Sequence, residues 1–280
     1  MWRDMPSFHP MENALILIAA VALYVLSGAI FTLRLFRADP LKRPPKSVGL
    51  VLGFAALLLH AYLLYLLLHT MHGVNFSFFN AVSFAAWVIS LLYLLAALSK
   101  PVESLGVVLL PIAALTLLLD QLFPGVSLLP PDTNWELRAH VISSILAYSV
   151  LAMAAVQAVL LAVQDRHLRK HHPGGFIRAL PPLQTMESLM FEMIMIGFVL
   201  LTLALASGFV FLDDMFAQHL VHKTLLSLFA WLAFGVLLWG RYRFGWRGRT
   251  AIRWTLTGFV VLALAYFGSK AVVELVLKLP

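Results

Sequence analysis

Polar residues are unevenly spaced along this chain. They gather in short clusters such as "ADPLKRPPKS" and "HHPGGFIRALPP", where Pro and Gly punctuate the backbone. Between the clusters run apolar stretches of about 20 residues, the length a helix needs to cross a hydrocarbon core. Eight such spans are expected, at about 13–36, 48–70, 78–98, 105–123, 138–164, 190–212, 220–240 and 252–277. The runs are continuous in Leu, Ala and Val and lack the two-residue alternation of barrel strands. Only helices and closed barrels satisfy their backbone in lipid, so the spans read as helices. The longest connections, about 25 residues, leave no separate soluble domain. The expectation is an all-α integral membrane protein: a single transmembrane domain over 1–280, a bundle of eight transmembrane helices, with no clear internal repeat.

Composition sharpens this picture. The chain is 61% hydrophobic and 12% charged, against about 25% charged in soluble domains, which is too few polar residues to cover a soluble surface. The 280 residues include no cysteine, which excludes disulfides, thiolate metal sites and cysteine nucleophiles. The first apolar run continues to Phe36, too long for the core of a cleavable signal peptide. The net charge of +7 is explained by its distribution. Of the 20 Lys and Arg, all but Arg3, Arg138, Lys223, Lys270 and Lys278 fall in the connections 1–2, 3–4, 5–6 and 7–8. The positive-inside rule makes those connections cytoplasmic and places both termini outside the cytoplasm. The basic clusters are therefore topology signals, and no nucleic-acid partner is expected.

Chemistry rests on the histidines. His167, His171 and His172 share a basic connection and read as solvated; His9 lies in a terminal tail. His60 falls near the middle of the second span, where an ionisable group is costly and marks function by default. It is either hydrogen-bonded between helices or a candidate mid-membrane metal ligand. Tyr62, Tyr65, His69 and His72 form a stripe on the opposite face of that helix. His140 opens the fifth span beside Arg138, and His222 opens the seventh beside Lys223, both at the outer interface. Haem would suit that pairing, since its iron takes imidazole and its two propionates favour Arg or Lys. Ser144 and Tyr148, one and two turns after His140, could orient its second ring nitrogen or line a pocket. Two interfacial histidines beside two interfacial cations is the plain alternative, and His219 is an alternative to His222. Carboxylates are scarce, and no P-loop, HExxH or GxSxG occurs, so no enzyme activity is expected.

The stretches "FNAVSFAAW", "LRAHVISSILAYSVL" and "HKTLLSLFAWLAFGVLLWGRYRFGWRGRTAIRWTLTGFVVLALAYFGS" together resemble the cytochrome c assembly protein family. This is the membrane haem-handling group of CcsA-like and CcmC-like proteins, and the likeness is to its smaller YpjD-like and HemX-like inner-membrane members. The resemblance implies eight transmembrane helices, a bacterial inner-membrane location, association with haem b, and partners among other cytochrome assembly or membrane proteins. It implies that His140 corresponds to the family's external haem-ligating histidine. Two departures stand out. The connection "DDMFAQHLVHK" carries no tryptophan where CcsA-like members have a tryptophan-rich segment, and no histidine follows the final "YFG". The resemblance thus implies a reduced relative that binds or relays haem rather than a full haem lyase. A haem-free scaffold for other membrane proteins is the second expectation. A small-solute or proton transporter is a third, disfavoured by the scarcity of acids.

Overall fold

The computed structural model describes residues 10–37, 39–70, 73–75, 77–125, 127–129, 135–169, 180–211 and 221–268. Among them are eight helices long and apolar enough to cross a membrane. They are α1 (Pro10–Phe36), α2 (Lys46–Leu68), α3 (Phe78–Ser99), α4 (Glu103–Leu122), α5 (Trp135–Arg169), α6 (Leu183–Phe211), α7 (Val221–Phe244) and α8 (Arg249–Ala263). A π-helical turn, Leu264–Gly268, continues α8. The eight expected spans are present, with shifted ends. The second stops at Leu68 because His69–Thr70 enters a strand. The sixth begins seven residues before its expected start, because its polar first turns are held by α5. Gln164 Nε2 donates to the Pro181 carbonyl at 3.0 Å and Gln157 Nε2 to the Met186 carbonyl at 3.2 Å. The positions of the two chain ends lie outside the described residues.

The chain divides into two compact units, residues 1–132 and 133–279. In the first, α1 packs on α2 and α4, and α3 packs on the same two helices, so the four form a closed square. Its centre is filled by Tyr24, Phe31, Tyr93, Leu94, Leu105, Leu110 and Leu117, all fully buried. Lipid supplies no hydrophobic drive between helices, so close approach and interhelical hydrogen bonds hold them. Gly106 leaves room on α4 for the Tyr93 ring and hydroxyl, and Ser27 Oγ donates across to the Gly49 carbonyl at 2.7 Å. One end of this unit carries a small antiparallel sheet in the order β1 (His69–Thr70), β2 (Gly73–Asn75), β3 (Leu128–Leu129). His69 pairs with Val74, and Val74 with Leu129. Asn75 fastens it, donating to the Gly125 carbonyl and accepting from the Ser127 amide, each at 2.9 Å. At the opposite end Glu103 accepts from Arg34 at 3.0 Å and lies 3.9 Å from Lys46.

In the second unit α5 packs on α6 and α8, and α7 packs on the same two. The square has the same neighbour order, with α5 and α7 at opposite corners. The 35 residues of α5 rise about 52 Å, well beyond a hydrocarbon core of about 30 Å, so its C-terminal turns project past the core. There Asp165 accepts from Arg169 at 3.0 Å and from Arg249 at 3.2 Å. Helix α7 ends in a left-handed glycine, Gly245 (φ 67°), with Trp246 N donating to the Gly240 carbonyl and Gly245 N to the Arg241 carbonyl. Gly248 (φ 54°) completes the turn into α8. Glu187 of α6 reaches this turn, accepting from Arg241 Nη1 at 2.9 Å and from Arg247 Nε and Gly248 N at 3.2 Å. The basic connections of each unit thus meet at carboxylates at one end, an anchoring role beyond the topology signal.

Candidate functional site

The sixth residue of α5, His140, is half-buried against α6. Its Nδ1 lies 2.9 Å from the Ala204 carbonyl oxygen and 3.1 Å from Ser207 Oγ. A carbonyl only accepts, so Nδ1 carries the proton and the neutral ring keeps its lone pair on Nε2. Ser207 Oγ donates to the same carbonyl at 2.9 Å, which leaves its lone pairs facing the imidazole N–H. This is the arrangement of a metal-binding histidine, one nitrogen tethered to fix the tautomer and the other available.

The tether comes from α6 and not from Ser144. One turn along α5, Ser144 is buried with the Tyr266 hydroxyl as its polar neighbour. Tyr148, another turn on, packs against Phe259, Tyr266 and Phe267 at ring-centroid distances of 5.5, 5.2 and 5.3 Å. Tyr266 and Phe267 belong to the π-turn, whose wider winding changes the register of side chains leaving α8. The face of α5 that carries His140 therefore continues into an aromatic wall made with α8.

The cations are placed less favourably than the sequence implies. Arg138 is exposed, and two residues along a helix place it about 200° around the axis from His140. It does not share the histidine's face of the helix. His222 and Lys223 are exposed in the first turn of α7. In an up-and-down square α5 and α7 begin at the same end, so His140 and His222 share that end from opposite corners. His9, His72, His171, His172 and His219, and the side chain of His69, lie outside the described residues. His167 is exposed and its Nδ1 is 2.8 Å from the Val163 carbonyl of its own helix.

His60 is fully buried in the first unit and held at both nitrogens. Nδ1 is 3.1 Å from the Tyr24 hydroxyl and Nε2 is 3.0 Å from Ser83 Oγ. Neither nitrogen is available to iron while both bonds stand. Tyr62 and Tyr65, on the opposite face, are 48% and 59% exposed. They project outward and line no cavity with His60. Among the described residues no cluster of three or more His, Asp or Glu side chains could hold a bare metal ion.

These features define a multi-pass helical membrane protein with one tethered, half-buried imidazole near the end of a four-helix unit. The chain belongs to the family described as Cytochrome C assembly protein, which matches residues 48–277. It is 35% identical over 208 residues to the Inner membrane protein YpjD of Escherichia coli (strain K12), covering 73% of this chain and 77% of that one. It is 26% identical over 253 residues to the Cytochrome c biogenesis protein CcsA of Synechococcus sp. (strain CC9902), covering 80% and 83%. An uncharacterized 28.8 kDa protein of Azospirillum brasilense is 34% identical over 140 residues, covering 49% of this chain and 52% of its own length. No solved structure matches.

Sequence reasoning missed Ala204 and Ser207 as the tether and Phe259, Tyr266 and Phe267 as the wall. A carbonyl acceptor leaves no mark in sequence. The "AYFG" segment stood out only as a family signature, not as a π-turn.

Proposed function

We propose that this chain is a haem-binding protein of the bacterial inner membrane that handles or relays haem b during cytochrome c biogenesis. His140 is the iron ligand. The observation that carries this reading is the hydrogen bond from His140 Nδ1–H to the Ala204 carbonyl, which commits Nε2 to lone-pair chemistry. The aromatic wall around Tyr148 supplies an apolar surface suited to a macrocycle. Its family membership and its relatives' names favour the same biology. His222 is the partner ligand in this reading, on the ground of its shared helix end, with Lys223 as the cation for a propionate. Haem brings a metal centre that accepts imidazole nitrogen. The protein's part is to hold the ring, exclude water through the aromatic wall and present the site at one end of the bundle. Other cytochrome assembly proteins of the membrane are its partners.

The test is a spectral titration of the purified full-length protein in detergent with haem. Wild type, His140→Ala, His222→Ala and the exposed-histidine control His167→Ala are compared. The expected result is a Soret shift in wild type and control, weakened binding or an altered spin state in His222→Ala, and loss of the ligated spectrum in His140→Ala. An unchanged spectrum and affinity in His140→Ala would overturn the assignment, and a wild type with no spectral change would leave the haem-free scaffold.

A further inference from the structure

The first unit contains a second polar construction, which the haem reading does not use. Each of its four helices contributes. His60 of α2 stands between the Tyr24 hydroxyl of α1 and Ser83 Oγ of α3, at 3.1 and 3.0 Å. All three side chains are fully buried. Near Ser83, and not hydrogen-bonded to it, is the carboxyl of Asp120 on α4, 1% exposed. Near Tyr24, again without a hydrogen bond, is Ser90 of α3, also fully buried. One turn further along α3, the Tyr93 hydroxyl is buried within the electrostatic reach of Glu103.

The unpartnered atoms follow this line. Among the described residues of the unit, the buried side-chain oxygens without a hydrogen-bond partner are both Asp120 oxygens, Ser90 Oγ, Tyr93 Oη and Ser77 Oγ. Each such group is costly to leave unpaired in hydrocarbon surroundings. Scattered orphans would be defects, but these lie in sequence from the sheet end to about two thirds of the way along α3. Asp120 is two residues, about 3 Å, from the end of α4 beside the sheet, and Ser77 stands at the N-cap position of α3 at that same end, without a side-chain capping bond. Ser83, Ser90 and Tyr93 are about 8, 18 and 23 Å along α3 from that end. Glu103 stands at the far end with Arg34 and Lys46.

Every group in the line either carries an exchangeable proton or accepts one. A metal ion would need several anionic or imidazole donors together, and the line has a single carboxylate at its sheet end. We propose that this line is a proton path through the first unit, running between Asp120 at the sheet-bearing end and Glu103 at the basic end. A proton from water binds an Asp120 oxygen. The carboxyl proton passes through a bridging water to Ser83 Oγ as the Ser83 proton passes to His60 Nε2. The Nδ1 proton of His60 passes to Tyr24 Oη, whose own proton passes through a bridging water to Ser90 Oγ. The Ser90 proton travels by hydroxyl rotation or a bridging water to Tyr93, and the Tyr93 proton by further water to Glu103, which releases it at its end. Each group regains its starting charge, and His60 finishes as the other tautomer, reset by a flip of its ring. No oxidant or reductant is involved.

The test uses full-length protein in liposomes with an entrapped pH-sensitive dye, driven by a potassium gradient with valinomycin. Wild type should collapse the imposed proton gradient faster than protein-free vesicles. Asp120→Asn and His60→Gln should cut that increment at least about tenfold, since an amide does not take up and pass on a proton. Asp120→Glu should retain most of it, and His167→Ala all of it. Wild type no faster than empty vesicles overturns the proposal, as do Asp120→Asn and His60→Gln at the wild-type rate. Should those variants not fold, infrared spectroscopy of wild type decides. A buried carboxyl band that converts from carboxylate to acid as pH falls, and whose acid form shifts in heavy water, is expected, and its absence or failure to exchange refutes the path.

Discussion

Glu187 offers the sharpest test of how the second unit is held. Its side chain is 10% exposed and takes three donors, from Arg241, Arg247 and the Gly248 amide. Hydrogen bonds to a charged group contribute about 1.5–3 kcal/mol each when protected, whereas exposed ion pairs contribute about 0–1 kcal/mol. Arg241 is 33% exposed and Arg247 53% exposed, so the first counts at the low end of the protected range and the second near the exposed one. Arg241 also sits 4.6 Å over the Phe191 ring, and that contact survives loss of the carboxylate. With the Gly248 amide also at the low end of the protected range, Glu187→Ala should cost about 3–4 kcal/mol, a fall in Tm of roughly 6–16 °C by the scaling for domains of this size. Asp165 makes the same kind of pair in the open, with Arg169 60% and Arg249 58% exposed. Asp165→Asn should cost under about 1 kcal/mol and lose its effect in high salt, while the Glu187 effect persists. Tryptophan fluorescence on heating in detergent is the assay, because Trp246 and Trp254 stack at 5.8 Å beside this turn. Equal shifts for Glu187→Ala and Asp165→Asn would refute the weighting of burial over ion-pair number.

Two further outcomes follow from the same structure. Ser207→Ala should weaken haem binding less than His140→Ala, by about three- to tenfold, because the Ala204 carbonyl still fixes the tautomer after one hydrogen bond of about 1 kcal/mol is lost; a loss as large as that of His140→Ala in the spectral titration would count against the carbonyl as tether. Reporter fusions active only outside the cytoplasm should work after Met71 and Pro130 and fail after Pro44 and Gly174, and activity at the latter two would reverse the orientation drawn from the basic connections.

The helix count was legible because hydrocarbon thickness imposes a length on every span, and Pro and Gly clusters mark the ends. Ends were less legible wherever polar residues stay helical through partners distant in sequence. Gln184, Thr185 and Glu187 look like a connection by hydropathy, yet they wind into α6 beside Gln164 and the α7–α8 turn. The three-stranded sheet was invisible, since two- and three-residue strands carry no periodicity and the anchor is one asparagine. His140 was legible from its position at a span edge and from its family block. Its tether was not, since it depends on which turn of α6 faces α5. Arg138 is near His140 in sequence, but two residues of helix turn it to another face.

The two membrane histidines differ in a way that residue type cannot express. His140 shares its Nδ1 proton with a backbone carbonyl, a group with no proton to return, so its tautomer is fixed and Nε2 is left with a directed lone pair. His60 lies between two hydroxyls, each able to donate or accept, so either tautomer satisfies both bonds. A fixed tautomer suits a ligand, because the lone pair must wait in one place for a metal. An exchangeable tautomer suits a relay, because a proton taken at one nitrogen can leave from the other. Depth reinforces the division. The ring of His140 is half-buried near a helix end, where a large planar molecule could reach it, whereas that of His60 is sealed within four helices, where only a proton or a water could follow. Chemistry at a membrane histidine is therefore set by the partner of its second nitrogen as much as by the histidine itself, and that partner is contributed by a different helix in each unit of this chain.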